Sequence, residues 1–286
     1  MKTLPFKAFE NNITSQHGED GVIQELCRRL GISRGLCVEF GAWDGEHLSN
    51  TWSLWKNYGW SAVLIEGDHA KHSALKSATA GNGQVTTLCA YVGTEGDSSL
   101  DRLLAPLIRD RCPDLISIDV DGDDYLIFES IEVVKPKIVV VEYNPTIPPH
   151  LDIVQQKGEY FGASALALTK LASRKGYCLA HLTGTNLLFV ERGHFVKLDI
   201  KELILDEVFD YTRLACVITS YDGRSLLSTP LTYRPELRDL ASFVRVLCGK
   251  RNLLRMLICF GKPPEQSIPK VKLSSSEGLL AVELFK

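Results

Sequence analysis

The 286-residue sequence has no apolar run of about 18 residues, the length that a membrane-spanning helix requires. Its first residues, MKTLPFKAFENN, lack the apolar core of a secretory signal peptide. No CxxC pair occurs among its eight scattered cysteines, which favours buried free thiols over a disulfide framework or a zinc site. The net charge is only −3, so nothing draws the chain to nucleic acid or to an anionic membrane. We therefore expect a cytoplasmic protein with no transmembrane segment and no nucleic-acid partner.

Apolar runs alternate with segments of helical spacing, such as Asp20–Leu30 and Ser164–Arg174. Most of the runs are almost continuously apolar, which is typical of strands that helices cover on both faces. This alternation predicts an α/β fold with a doubly wound, mostly parallel, seven-stranded sheet that ends in an antiparallel hairpin. The predicted strands are Leu36–Phe40, Ala62–Glu66, Val85–Tyr91, Leu115–Val120, Ile138–Glu142, Tyr177–His181 and Asn186–Val190.

The pattern changes near residue 200, so we divide the chain into a domain at 1–199 and a mostly helical extension at 200–286. Within the extension, Pro235–Cys259 has helical spacing, and from Arg234 to Lys262 seven basic residues stand against two acidic ones. We expect this helix to pack on the core or on a second copy of the chain in a homo-oligomer. Binding to a membrane surface is the alternative.

The first strand runs into a glycine turn in the sequence CVEFGAWDGEHLSN. Glu39 ends the strand, and Gly41 and Gly45 permit a tight turn on which a ligand can lie closely. The pattern is not GxGxxG, and an acidic Glu39 would repel a pyrophosphate. It suits a ligand with an ammonium or sulfonium charge, which points to S-adenosylmethionine rather than NAD. An ordinary strand-to-helix turn is the alternative.

The next two strand ends extend this predicted ligand site. Glu66 ends the second strand, followed by Gly67, and a carboxylate there can accept both hydrogen bonds of a ribose diol. The third strand ends near Tyr91 and Val92, whose main chain could meet an adenine edge. A solvated loop acid is the alternative for Glu66.

The fourth strand runs into four aspartates in the sequence LISIDVDGDDYLIF. The DxDG pattern is typical of a phosphatase nucleophile loop, but such a loop follows the first strand. A calcium loop requires glycine at its sixth position, whereas Gly122 is at the fourth. We therefore expect Asp119 to act as general base on an acceptor hydroxyl, or to orient it. Asp123 and Asp124 are expected to cap the following helix.

A divalent metal is a further hypothesis for the same strand ends. Asp119, Asp121 and Glu142 could supply oxygen ligands to Mg²⁺, although their spacing alone does not establish such a site. For the acceptor, the candidates are His17, before the first strand, and Tyr143 and Asn144, after the fifth. A helix cap is the alternative for the segment around His17.

Several motifs, in order between about residues 13 and 192, resemble the FkbM-type methyltransferases: SQHGEDG, VEFGAWDGEHLSNT, LIEGD, IDVDGDDY, VVEYN, FGASALALTKLASRKGY and GTNLLFV. That family comprises S-adenosylmethionine-dependent O-methyltransferases of class I, Rossmann-like fold, often acting on sugar or polyketide hydroxyls. The resemblance implies that Glu39, Gly41 and Gly45 form the cofactor turn, that Glu66 binds the ribose and that Asp119 lies near the transferred methyl. The first motif departs from the family's usual aspartate-led, asparagine-containing turn.

We therefore expect an S-adenosylmethionine-dependent O-methyltransferase acting on a hydroxyl of a sugar, glycan or glycosylated metabolite. A non-catalytic binding or scaffold protein acting through the basic helix, or a metal-dependent phosphoesterase, is the alternative. The expected catalytic residues are Asp119, Asp121 and Glu142. The expected cofactor-binding residues are Gln16, Glu39, Gly41, Ala42, Asp44, Gly45, Asn50, Glu66, Gly67, Tyr91, Val92 and Asp119.

Overall fold

The computed structural model describes residues 4–109, 111–214, 217–219, 221, 225–228, 272–273 and 279–281. The chain forms two compact units, Met1–Phe209 and Asp210–Lys286. The division expected at residues 199 and 200 lies shortly before this boundary.

The first unit is built on a seven-stranded sheet in the order β3-β2-β1-β4-β5-β7-β6. Strands β1 to β5 pair in parallel, and β7 pairs antiparallel with both β5 and β6. This is the class I methyltransferase form of the Rossmann-like fold, so the predicted fold class is confirmed. The strands are β1 Leu36–Phe40, β2 Ser61–Glu66, β3 Val85–Cys89, β4 Leu115–Ile118, β5 Ile138–Glu142, β6 Tyr177–Leu182 and β7 Asn186–Glu191.

Helices connect the strands and cover both faces of the sheet. In α1 the apolar residues Val22, Ile23 and Leu26 are buried, and the helix stops at Gly31, which adopts a left-handed conformation. Two further short helices follow β7. The helices are α1 Glu19–Leu30, α2 Trp52–Asn57, α3 His69–Ala78, α4 Leu100–Ile108, α5 Asp124–Ser130, α6 Ala165–Arg174, α7 Arg192–Phe195 and α8 Leu205–Val208, with single 3₁₀ turns at Lys7–Phe9, Gly96–Ser98 and Val196–Leu198. A further 3₁₀ turn, Tyr211–Arg213, belongs to the second unit.

One face of the sheet belongs to the core that packs against α1. Its strand positions include Cys37, Leu64, Leu115, Val140 and Leu188. Because strand side chains alternate between faces, residues two positions nearer the carboxyl edge of the parallel strands lie on this same face. Those residues are polar on all five strands: Glu39, Glu66, Ser117, Glu142 and Asn186.

Two predicted strands end earlier than expected. Strand β3 stops at Cys89 rather than Tyr91, and β4 stops at Ile118 rather than Val120. In the second case the backbone leaves the extended region, because Asp121 has a φ of 57° and Gly122 a φ of 150°. Asp119, Asp121 and Asp123 lie in the loop that follows β4, and Asp124 is the first residue of α5.

The described residues of the second unit form a four-stranded antiparallel sheet in the order β10-β11-β9-β8. The basic helix expected over 235–259 lies outside the described residues. Within the described part of the chain, no helix is long and apolar enough to cross a membrane. The strands are β8 Val217–Thr219, β9 Ser225–Ser228, β10 Lys272–Leu273 and β11 Leu279–Ala281.

Candidate functional site

The predicted glycine turn draws together the carboxyl ends of three strands. Gly41 has a φ of 73°, and a Cβ atom built on it would lie well under 3.0 Å from the carbonyl oxygen of Asp119. The backbone N–H of Ala42 donates to the carbonyl of Ile65 at 3.2 Å. Gly45 also has a left-handed φ, of 87°. Glycine is therefore needed at position 41 because the β4 backbone approaches it closely.

Glu39 is buried and bonded to the protein itself. Its carboxylate accepts hydrogen bonds from the Ser49 hydroxyl at 2.6 Å, the Asn50 backbone N–H at 2.8 Å and the Thr51 hydroxyl at 2.6 Å. Burial raises the pKa of Glu39, and these three donors oppose the rise. The Asn50 side chain donates to the Ser117 hydroxyl at 3.1 Å. Glu39 and Asn50, both predicted to bind cofactor, thus hold the segment leading into α2 against β1 and β4.

Glu66 joins the turns that follow β1 and β2. Its two carboxylate oxygens accept the backbone N–H groups of Trp43 and Asp68, each at 2.8 Å. A carboxylate offers about four lone-pair directions, so two acceptor positions remain for a ligand. The Tyr91 ring lies directly on Gly67, where a Cβ atom would lie well under 3.0 Å from it, and the side chain is 74% exposed. An accepting carboxylate and an exposed aromatic face therefore lie at neighbouring strand ends.

The loop between β4 and α5 is held by Asp124. Its two oxygens accept the backbone N–H groups of Val120 and Gly122, each at 2.9 Å. Burial raises the pKa of Asp124 to about 6, although the two donors oppose the rise. Asp123 precedes α5 but makes no side-chain capping bond; it accepts from the Gln155 amide at 2.9 Å instead. The capping roles predicted for Asp123 and Asp124 are therefore wrong: both side chains bind loop groups.

Three carboxylates converge where β4 and β5 end. One carboxylate oxygen from each of Asp119, Asp124 and Glu142 lies within 4.8 Å of the other two. Burial, and then the negative charges of Asp124 and Asp121, raise the pKa of Asp119 well above its usual value. Asp121 itself is exposed and is not one of the three. The group differs from the predicted ligand set because the loop turns Asp124 inward.

The start of α1 adds two acids, Glu19 and Asp20, that were not among the predicted site residues. The Asp20 Oδ2 atom accepts the backbone N–H groups of residues 13, 14 and 15 at 2.8–2.9 Å, whereas its buried Oδ1 has no hydrogen-bond partner within the described part of the chain. The Glu19 Oε1 atom accepts from the Thr183 hydroxyl and, at 3.1 Å, from the Asn186 amide. The Oδ1 atom of Asn186 is also buried without a partner. Two buried acceptor atoms near the start of α1, the Oδ1 atoms of Asp20 and Asn186, thus have no hydrogen-bond donor among the described residues.

The remaining predicted contacts are divided between the surface and the protein's own loops. Gln16 is exposed and His17 is half-buried at the start of α1. Tyr143 is buried, and its hydroxyl donates to the Thr183 carbonyl at 3.1 Å. The Asn144 side chain donates to the Phe161 carbonyl at 2.9 Å and accepts from Thr146. The contacts of Tyr143 and Asn144 therefore brace the segment after β5.

Three other residues predicted to bind cofactor lie in the turns after β1 and β3. Ala42 is buried and Val92 is half-buried. Asp44 accepts two backbone N–H groups of its own turn.

No family model matches the sequence, and no curated protein matches it. Among solved structures, the N-terminal domain of EvdMO1 with SAH bound is similar at 13% identity and a TM-score of 0.42, over 62% of this chain and 82% of that one. M. capricolum TrmK in complex with its cofactor product S-adenosyl-homocysteine is similar at 11% identity and a TM-score of 0.35. That match covers 58% of this chain and 65% of TrmK, slightly less than two thirds of its length. The CurJ carbon methyltransferase is similar at 11% identity and a TM-score of 0.41, over 60% of this chain and 52% of that one. Each similarity concerns the fold alone.

Proposed function

We propose that the chain is an FkbM-type, S-adenosylmethionine-dependent O-methyltransferase that methylates a hydroxyl of a sugar, glycan or glycosylated metabolite. The observation that carries this proposal is a row of carboxylates at one edge of the sheet. Glu66, Glu39, Asp119 and Glu142 end or follow the adjacent strands β2, β1, β4 and β5. Ligands of doubly wound sheets bind at this edge, and the acidic row favours a cationic ligand over a pyrophosphate.

The residues present fit such a methyl donor. Glu66 would accept the ribose hydroxyls with its remaining lone pairs, and the exposed Tyr91 ring would bind the adenine by its face. The unpartnered Asp20 Oδ1 atom is suited to the ammonium of the methionine part. When bound, S-adenosylmethionine supplies an electrophilic methyl group on positively charged sulfur.

Asp119 is the residue proposed to receive the acceptor's proton. Burial and the negative charges of Asp124 and Asp121 raise the pKa of its carboxyl, which makes the carboxylate a stronger proton acceptor. Glu142 and Asp124 lie beside it and would orient the acceptor hydroxyl. Alignment of acceptor and donor then contributes much of the rate, because methyl transfer is an in-line displacement.

The motif order supports the FkbM assignment. Asp20, Glu66 and Asp119 come from three separate motifs, SQHGEDG, LIEGD and IDVDGDDY, and each lies at the carboxyl edge of the sheet or at the start of α1. Sugar hydroxyls are the proposed acceptors because the sequence resembles that family.

The test is transfer of a labelled methyl group to a panel of neutral sugars and glycosides. We expect labelled product with at least one hydroxyl acceptor, and a fall of about 10²–10⁴-fold in turnover for Asp119→Ala. The matched control is Asp97→Asn, which changes an exposed acid outside the site. Near-normal turnover by Asp119→Ala would remove Asp119 from the mechanism. No labelled product with any acceptor of the panel, from protein that binds S-adenosylhomocysteine, would contradict methylation of sugar hydroxyls.

A further inference from the structure

The three clustered carboxylates have the spacing of ligands around one metal ion. Their oxygens lie within 4.8 Å of one another. Mg²⁺ and Ca²⁺ bind carboxylate and amide oxygens at about 2.0–2.6 Å, so two ligands on opposite sides of one ion are roughly 4–5 Å apart. Asp119, Asp124 and Glu142 can therefore share a single ion with only small side-chain adjustments.

Asn186, on the strand that pairs with the end of β5, offers a buried oxygen that forms no hydrogen bond among the described residues. Asn186 is directly opposite Glu142 in the β5–β7 pairing, so the two side chains leave the same face of the sheet. The Asn186 Nδ2 atom donates to Glu19, which fixes the amide with its Oδ1 atom as the free end. The side chain is 4% exposed, and Oδ1 has no partner among the described residues. A buried amide oxygen without a donor is rare, and it is an accepted ligand of hard cations.

Five acids of this region lack an ion-pair partner among the described residues. Within the part of the chain that the structure describes, the carboxylates of Glu19, Asp20, Glu39, Asp119 and Asp124 form no ion pair with lysine, arginine or histidine. Buried carboxylates are normally paired with a cation or coordinated to a metal. A divalent ion offsets more of this charge than a singly charged ammonium group can.

We infer that Asp119, Asp124, Glu142 and the Oδ1 atom of Asn186 form a binding site for one divalent cation of the Mg²⁺ or Mn²⁺ type. Asp124 is held in place by the N–H groups of Val120 and Gly122, which occupy about two of the four lone-pair directions of its carboxylate. The site adjoins the proposed acceptor position, so a bound ion would draw an acceptor hydroxyl toward Asp119. The inference does not depend on which methyl donor or acceptor the protein uses.

The test is a titration of the full chain with MnCl₂, in which electron paramagnetic resonance measures the free ion. We expect one Mn²⁺ per chain, and binding weakened about tenfold or more by Asp119→Asn and by Glu142→Gln. The matched control is Asp121→Asn, which makes the same charge change on an exposed loop residue outside the cluster and should alter the affinity less than about threefold. Thermal unfolding in metal-free buffer verifies that each variant folds.

The cation site and the methyl-donor site are tested by separate binding measurements. The inference is overturned if wild type binds no Mn²⁺ stoichiometrically at millimolar concentration, or if Asp121→Asn weakens binding as much as Asp119→Asn. Binding of S-adenosylhomocysteine is measured on the same samples without metal. If that ligand fails to bind while Mn²⁺ does, the methyl-donor proposal fails and the cation site stands.

Discussion

Gly41 packs so closely on the carbonyl oxygen of Asp119 that a Cβ atom at position 41 would lie well under 3.0 Å from it. The contact joins the turn after β1 to the residue that follows β4. The first is the proposed cofactor turn, and the second, Asp119, is the proposed general base. Glycine is required here for two reasons: its φ of 73° is left-handed, and no space exists for a side chain.

Gly41→Ala should lower the free energy of unfolding by about 2–4 kcal/mol and weaken binding of the methyl donor, because both the backbone conformation and the packing are strained. Gly31→Ala is the matched control: its φ is 72°, but nothing lies within 4 Å of the added Cβ. Urea denaturation measures both variants. Equal losses of stability would show that contact with Asp119 adds nothing to the conformational strain.

Glu39→Gln should lower the free energy of unfolding by about 1–3 kcal/mol, since the buried carboxylate accepts three hydrogen bonds from residues 49–51 and an amide cannot accept them all. Glu46→Gln, at an exposed position, is the control and should have little effect. Urea denaturation is again the measurement. If Glu39→Gln were as stable as wild type, Glu39 would not hold this segment in place.

His181 should make the protein less stable in mild acid. The side chain is fully buried. Its Nε2 atom lies 3.0 Å from Glu10, and its Nδ1 atom has no hydrogen-bond partner among the residues that the structure describes. Burial lowers the pKa of His181 in the folded protein, despite the opposing effect of Glu10. An exposed histidine, as in the unfolded chain, has a pKa of about 6.5, so below that pH the unfolded state binds more protons than the folded state. The folded state therefore loses stability as pH falls through and below that value.

The free energy of unfolding of wild type and of His181→Asn is measured from about pH 5 to about pH 8, a range that includes the ordinary pKa of histidine. The difference between the two proteins should be largest at high pH and shrink in acid. His150→Gln, at an exposed position, should keep the wild-type slope. A pH dependence unchanged by His181→Asn would contradict this assignment.

Gln155→Leu should loosen the segment after β5 from the aspartate loop. The buried Gln155 amide donates to Asp123 at 2.9 Å and accepts the Gly162 N–H at 2.6 Å, so both bonds are lost. We expect faster hydrogen exchange at the Gly158 and Gly162 amides and about 1–3 kcal/mol less stability. Gln156→Leu, at the exposed neighbouring position, is the control. Unchanged exchange in Gln155→Leu would mean that other contacts hold the segment.

The sequence was sufficient to predict the seven-stranded sheet, although β3 and β4 end two residues earlier than predicted, because continuous apolar runs are strong signals of buried strands. The acids at those ends, Glu39, Glu66 and Glu142, were identifiable for the same reason. The inward position of Asp124 was not, since it depends on left-handed backbone at Asp121 and Gly122.

Long-range contacts also escaped sequence reasoning. Asn186 meets Glu142 through antiparallel register and Glu19 through packing of α1, and neither relationship is visible in local spacing. Tyr143 was predicted to bind the acceptor through its hydroxyl, but that hydroxyl donates to the carbonyl of Thr183, between β6 and β7. The groups that donate hydrogen bonds to Glu39 belong to residues 49–51, at least ten positions away in the sequence.

Calorimetric titration of the full chain with S-adenosylhomocysteine measures whether the acidic edge of the sheet binds a methyl donor. We predict one molecule bound per chain in the micromolar range, about −8 kcal/mol, with at least roughly tenfold weaker binding by Glu66→Ala. Asp97→Asn should bind like wild type. Absence of binding heat at several temperatures, or full affinity in Glu66→Ala, would contradict the account.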